Sequence, residues 1–292
     1  MVALCLCAAA LAAAISAPGH FRSLPATPSS VNAERLPRVM LWAWERPDDL
    51  TGIDAATTGV AFLARTIYIR PAGGGEPDGG VVMRPRMQPL RVAPGTALMA
   101  VVRVETGAQA RVVRQRSGGE SDAAATYSDE ARAATAALIA DVAQTPGIRA
   151  LQIDFDATRG ERDFYTALLQ NVRRLIPASM PLSITALASW CIGDPWIDAL
   201  PAGTIDEAVP MLFRMGPDAP GVARYIASGR EFRPMACRSS VGVSTDEKLS
   251  TALLIGDTAA GAGIVAGRRV YVFQGREWTT ESAAEVEKEL RR

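Results

Sequence analysis

Eight short apolar runs are spaced along the chain from Val39 onward, at residues 39–44, 59–64, 97–104, 150–155, 182–188, 208–213, 239–243 and 270–273. Each is nearly continuous rather than alternating. That pattern suits strands buried on both faces, as in a parallel sheet. The segments between them carry helical spacing. Ser128-Asp129-Glu130 opens an amphipathic run through Leu138, Ile139 and Val142, which Pro146-Gly147 ends. Residues 163–176 place Phe164, Leu168, Leu169, Val172, Leu175 and Ile176 on one helix face. Asp194-Pro195 reads as an N-cap followed by proline, residues 244–247 as a capping box, and Thr280-Glu281 as the start of a last helix.

About eight strands alternating with helices or loops in about 250 residues is the arithmetic of a (β/α)8 barrel, a TIM-like α/β fold. A doubly wound open sheet is the alternative, but no strand is followed by a dinucleotide or P-loop glycine pattern. Residues 71–96 and 106–127 break the rhythm and read as long loops or small β-excursions. No internal repeat interrupts residues 36–292, which read as one barrel domain.

Residues 1–17 form an apolar run of signal-peptide length that ends in small residues and lacks a basic start. Residues 18–35, rich in Pro, Ser and Thr, read as a flexible linker. The expectation is an exported protein, periplasmic or extracellular. The leader is too short for a membrane span, so no stable span is expected once it is removed. Cys5 and Cys7 lie in the leader without a convincing lipobox. Cys191 and Cys237 remain as a candidate disulfide or as two isolated thiols; their separation does not suit a metal site.

Lys plus Arg and Asp plus Glu both number 31, so the formal net charge is zero. Nothing in that balance points to nucleic acid or an anionic membrane surface. The single histidine, His20, lies beside the leader. The barrel region therefore cannot build a Ser-His-Asp triad or a histidine-rich zinc site. No cofactor motif or metal site is expected, and acid–base chemistry falls to carboxylates, Tyr, Cys or Lys.

The fourth run carries the candidate chemistry. In Leu151-Gln152-Ile153-Asp154-Phe155-Asp156, alternation puts Gln152, Asp154 and Asp156 on one face, with the two aspartates roughly 6–7 Å apart at Cα. Two like charges on an apolar strand cost free energy unless they are paired or put to use. In a (β/α)8 barrel the chemistry sits at the C-terminal ends of the strands. Those ends supply Trp42, Trp44, Glu45, Arg65, Arg103, Glu105, Asp154, Asp156, Trp190, Arg214 and Gln274, with Trp278 just beyond. Carboxylates, arginines and tryptophans on one rim suit a sugar site, where aromatic faces stack on pyranose rings and polar groups bind hydroxyls. Core packing for each Trp and ion pairing for each Arg are the structural alternatives.

Several of these segments resemble a bacterial family catalogued only as a domain of unknown function, number 3142. They are residues 41–47, 60–63, 152–157, 183–191 and 209–216, and the resemblance spans residues 36–280. No activity is established for that family, so no reaction comes with the likeness. A looser similarity is to the chitinase-like family 18 glycosidases. Their fourth strand reads Asp-x-x-Asp-x-Asp-x-Glu, with Glu the general acid. Asp154 and Asp156 match the inner pair, whereas Leu151 and Thr158 replace the first Asp and the Glu. Met211-Leu212-Phe213-Arg214 keeps the Met of that family's Met-x-Tyr-Asp and loses the other two.

The leading expectation is a glycoside hydrolase-like barrel acting on carbohydrate, with Asp156 as acid/base or nucleophile and Asp154 as its electrostatic partner. Glu105, Glu45 or a folded-back Glu161 could supply a second carboxylate. Glycosidase pairs stand about 5–5.5 Å apart for retention and about 6.5–9.5 Å apart for inversion. The alternative is a barrel that binds carbohydrate or cell-wall glycan without catalysis. A divalent-metal phosphodiesterase built on Asp154, Asp156 and Glu105 is a third reading, disfavoured because such sites generally include histidine.

Overall fold

The computed structural model describes residues 36–71, 80–107, 127–247, 250 and 264–291. The leader, the linker and His20 lie outside the described residues, as does most of 106–127. The strands in chain order are β1 (Val39–Ala43), β2 (Asp48–Leu50), β3 (Thr58–Ile69), β4 (Val81–Pro85), β5 (Leu90–Val92) and β6 (Leu98–Thr106), followed by β7 (Ile148–Asp154), β8 (Leu182–Leu187), β9 (Glu207–Met211), β10 (Ser240–Ser244) and β11 (Arg269–Phe273). Eight of them (β1, β3, β6, β7, β8, β9, β10 and β11) pair in parallel and close on themselves through β1 against both β3 and β11. The chain is a (β/α)8 barrel.

Each apolar run forms one barrel strand. The irregular stretch at 71–96 contains strands: β4 runs antiparallel along the far half of β3, and β5 pairs with β2 in a separate two-stranded sheet. The helices are α1 (Asp129–Val142), α2 (Arg162–Leu175), α3 (Ala188–Ile192), α4 (Ala219–Ala227) and α5 (Thr280–Leu290). Ser128 caps α1 by accepting from the Ala131 N–H at 3.1 Å. On α2, Phe164, Tyr165, Leu168, Leu169 and Val172 form the buried face. At about 1.5–3 kcal/mol for each large apolar side chain, that face alone outweighs any capping term. Asp194-Pro195 opens a turn rather than a helix: Asp194 accepts from the Trp196 N–H at 3.0 Å and pairs with Arg162. The helix expected after the 244–247 box falls largely on residues outside those described. No helix among the described residues is long and apolar enough to cross a membrane.

Apolar packing divides into two clusters. The larger joins the outer faces of the strands to the helices, and the smaller fills the barrel with Met40, Trp42, Ala61, Met99, Val101, Val209, Phe213, Tyr271 and Phe273. Trp42 reaches so far across that a Cβ on Gly242 would stand 2.8 Å from its ring. Glycine at that position on β10 is what lets an indole fill the middle of the barrel.

Cys191 at the end of α3 and Cys237 are joined in a disulfide, with Cα atoms 6.0 Å apart. The bridge ties the β8–α3 corner to the segment entering β10.

Candidate functional site

Strand β7 delivers Gln152 and Asp154 into the barrel interior and then stops. The Ala157 N–H donates to the Phe155 carbonyl at 2.8 Å, closing a three-residue turn over Asp156. Asp156 therefore does not continue the regular strand pleat. It is lifted to the mouth of the barrel, where it is exposed, while Asp154 below it is buried.

Asp154 is held on both oxygens. Arg103 Nη1 on β6 donates to Oδ2 at 3.0 Å, and Thr185 Oγ1 on β8 donates to Oδ1 at 2.8 Å. Arg103 also donates from Nε to Glu105 at 2.8 Å, and its guanidinium lies 5.9 Å from the centre of the Trp44 ring. Asp156 differs. Water reaches it from the mouth, yet protein surrounds most of its carboxyl, and that crowding raises its pKa to about 6. The charge of Asp154 pushes the same way and Arg103 opposes it.

The two aspartates lie on the wall of a cavity of about 260 Å³. Aromatic rings form another part of the wall. Phe213 and Phe273 stack at 5.3 Å, with Trp42 at 6.0 Å from Phe213 and Trp44 at 6.3 Å from Phe273. The Arg214 guanidinium lies over Phe273, 4.7 Å from the ring centre. Arg214 is the only described non-glycine residue with positive φ, 52°, and its N–H donates to Glu247 at 2.9 Å. A side chain in the left-handed region costs roughly 1–2 kcal/mol, and such strain gathers at functional sites.

Other residues brace this arrangement from outside the cavity. The Arg86 guanidinium donates to the carbonyls of Ala43, Trp44, Arg46 and Gln88 and to the buried Asp48 carboxylate at 2.9 Å. That fixes the loop presenting Trp44 and Arg46 to the cavity. Asp48 also accepts from the Trp278 N–H at 3.0 Å. Burial raises its pKa, against the opposing pull of the Trp278 N–H and Arg86. Below the cavity, Trp42 Nε1 donates to Gln152 at 2.7 Å, Gln152 Nε2 to Ser183 at 3.1 Å, and Ser183 Oγ to Glu207 at 2.9 Å.

Of the residues expected at the rim, Trp42, Trp44, Arg103, Asp154, Asp156 and Arg214 come together around the cavity. The others do other things. Arg65 turns outward because a β-bulge at Ala64 adds a residue to β3 between Leu63 and Arg65. It binds the Leu138 carbonyl and Asp141 on α1, both at 3.0 Å. Glu45 accepts from the N–H groups of Met87 and Gln88 and so secures the loop before β5. Gln152 is fully buried beneath Trp42. Trp190 is buried against Trp196 and lines the groove next to the cavity. Gln274 donates to the Glu277 carbonyl at 2.7 Å, and Trp278, 1% exposed, donates to the Trp42 carbonyl at 2.8 Å.

The expected second carboxylates are also committed elsewhere. Glu105 is engaged by Arg103 on its own strand and does not line the cavity. Glu161, fully buried, accepts from Thr106, Tyr127 and both the N–H and the hydroxyl of Thr158. It forms a reciprocal cap with Thr158 instead of folding back to the site. Thr185, Phe273, Met211, Asp218 and Arg46 were missed as lining residues. For Thr185 and Phe273 the signal existed: both lie on the inward phase of a barrel run, and Phe273 ends its run.

No protein-family model matches the chain, and no curated protein matches it. Among solved structures, the chain is similar to the apo form of an endo-beta-N-acetylglucosaminidase from Cordyceps militaris, at 10% identity and a TM-score of 0.43, over 91% of this chain and 94% of that one.

Proposed function

We propose that this barrel acts on carbohydrate as a glycoside hydrolase-like enzyme, with Asp156 as the proton-carrying group and Asp154 as its electrostatic partner. One observation carries the reading: two adjacent carboxyls at the end of β7 have divergent environments. Asp154 is clamped by Arg103 and Thr185, while Asp156 is open to the cavity with its pKa raised to about 6. Environments that push two carboxyls apart are how one site holds an acid and an anion together. Asp156 would protonate the departing glycosidic oxygen, and its carboxylate would then take a proton from the water that adds to the anomeric carbon. Asp154, fixed in place, would stabilise positive charge developing at the anomeric carbon. The aromatic wall of Trp44, Phe213 and Phe273 offers an apolar face to a ring, and the cavity has room for one small unit. Export, expected from the leader, would bring the protein to extracellular or cell-wall glycans.

A specific observation favours the second reading, a carbohydrate-binding barrel without catalysis. Thr158 stands where the family 18 glycosidases that this strand resembles carry their acid, and Glu105 and Glu161 are both engaged. Reducing-end release from a panel of glycans by the native protein and by Asp156→Asn separates the two. The enzyme reading expects release that falls as pH rises through about 6, and its loss in the variant. Retention of glycans without release by the native protein supports binding alone. Undiminished turnover in Asp156→Asn removes Asp156 from the chemistry.

A further inference from the structure

The cavity does not end at Asp156. A groove of about 1030 Å³ continues from it, and Asp156, Leu187, Ser189 and Asp218 line both spaces. The groove runs between the segment that follows β7, the β8–α3 corner and α4. Its character is different from that of the cavity. Four arginines line it: Arg159, Arg162, Arg224 and Arg230.

Arg162 is accounted for. It makes a two-pronged pair with Asp194, at 2.9 and 2.6 Å, and lies 5.7 Å from the Trp190 ring and 5.9 Å from the Trp196 ring. The other three are exposed and pair with no carboxylate among the described residues. Arg230 is also pre-shaped. Its guanidinium lies 4.5 Å over the Tyr225 ring and its Nε donates to Ser228 at 2.9 Å. The Tyr225 hydroxyl in turn donates to the Glu231 carbonyl at 2.6 Å, which fixes the ring beneath it. Three carboxylates, Asp156, Asp194 and Asp218, line the same groove, so its positive excess is small and resides in Arg159, Arg224 and Arg230, which they do not pair with. A planar guanidinium fork matches carboxylate and other oxyanions in a way a lysine does not.

We propose that this groove binds the continuation of an anionic glycan chain whose reacting unit occupies the cavity. The recognised chemistry is an oxyanion carried on a sugar, either a uronate carboxylate or a sulfate ester, by Arg159, Arg224 and Arg230. The inference rests on the carbohydrate reading above and narrows it to acidic polymers.

Calorimetric titration of the native protein with three probes of matched length tests it: an oligogalacturonate, a heparin-derived oligosaccharide and a neutral cello-oligosaccharide. One or both acidic probes bind roughly tenfold tighter than the neutral one, the combined worth of about three exposed ion pairs. The preference shrinks with added salt. Which acidic probe gains tells carboxylate from sulfate. The triple variant Arg159→Gln/Arg224→Gln/Arg230→Gln loses the preference while its thermal unfolding stays that of the native protein. Arg224→Gln alone lowers the preference in part and stands in for the triple variant if that one does not fold. Equal binding of neutral and acidic probes, or a preference that survives the variants, overturns the groove assignment and leaves the carbohydrate reading intact. No binding of any probe, with no release from the glycan panel, overturns both.

Discussion

Two clusters of charge occupy the same barrel, one at each end. At the N-terminal end Glu207 accepts from Arg269 at 2.6 Å, Tyr271 at 2.7 Å and Ser183 at 2.9 Å, and is 3% exposed. At the C-terminal end Asp154 is bound in much the same way, but Asp156 beside it opens on a cavity with an elevated pKa. Both ends use arginine against carboxylate. The lower cluster is closed, and every group in it serves another. The upper cluster sets Asp154, Asp156 and Glu105 around one half-buried guanidinium, that of Arg103. An ion pair inside a barrel is therefore not evidence of a site. A carboxyl that opens on a cavity beside a clamped one is.

That contrast is broken most forcefully from below. Glu207→Ala leaves Arg269 buried without its counter-ion and removes the acceptor for Tyr271 and Ser183. Stranding one member of a buried pair costs about 3–5 kcal/mol. Chemical denaturation should show a loss of that size. A loss under about 1 kcal/mol would mean that the lower cluster is not a structural lock.

The upper end should behave in the opposite sense. Burial and Asp154 raise the Asp156 pKa in the fold from 3.8 to about 6. Its stabilising contribution is then fully present below pH 3.8 and is lost as pH rises through about 6. Asp156→Asn removes that loss. Its melting temperature should exceed that of the native protein at pH 7.5, and the two should converge as the pH falls toward 3.8. A variant that is less stable at pH 7.5 would show that Asp156 stabilises the fold like Glu207. A gain in stability at the expense of turnover is what a strained site predicts.

Arg214 sharpens the comparison at smaller amplitude. Arg214→Gly relieves a left-handed backbone worth roughly 1–2 kcal/mol and adds unfolded-state entropy worth roughly 0.5–1 kcal/mol. The two nearly cancel, so unfolding should change little or shift slightly upward. Glycan binding should weaken, because the guanidinium over Phe273 is gone. Marked destabilisation would make Arg214 a structural clamp instead.

Much of this was legible in the sequence, and what was not has physical reasons. All eight barrel strands follow from the apolar runs, because burial on both faces leaves a local signature. Asp154 at the end of β7 was legible for the same reason, whereas the turn that lifts Asp156 out of the strand pleat was not. The outward turn of Arg65 was not, since one bulged residue at Ala64 reverses the phase of all that follows. Trp278 and Gln274 were misplaced because their partners, Trp42 and Ser282, depend on how the chain enters α5. Arg86 was invisible in a stretch without periodicity, although it holds the loop carrying Trp44 and Arg46. Strand phase places a residue on a face only until the strand bulges or ends.

The smallest effect lies just behind the site. Tyr165 on α2 is fully buried between Phe155 at 4.9 Å and Trp196 at 5.3 Å, and its hydroxyl has no hydrogen-bond partner among the described residues. Burial, then the charges of Asp154 and Asp156, hold that hydroxyl well above the usual tyrosine pKa, so it stays neutral. An unpaired buried hydroxyl costs about 1–3 kcal/mol relative to a paired one, and phenylalanine keeps the ring contacts. Tyr165→Phe should therefore leave stability unchanged or raise it by up to about 1 kcal/mol. If the hydroxyl only fills space behind β7, the activity–pH profile should not move. A destabilised variant, or a profile displaced from about pH 6, would make Tyr165 part of the upper cluster and extend the open side of the comparison by one group.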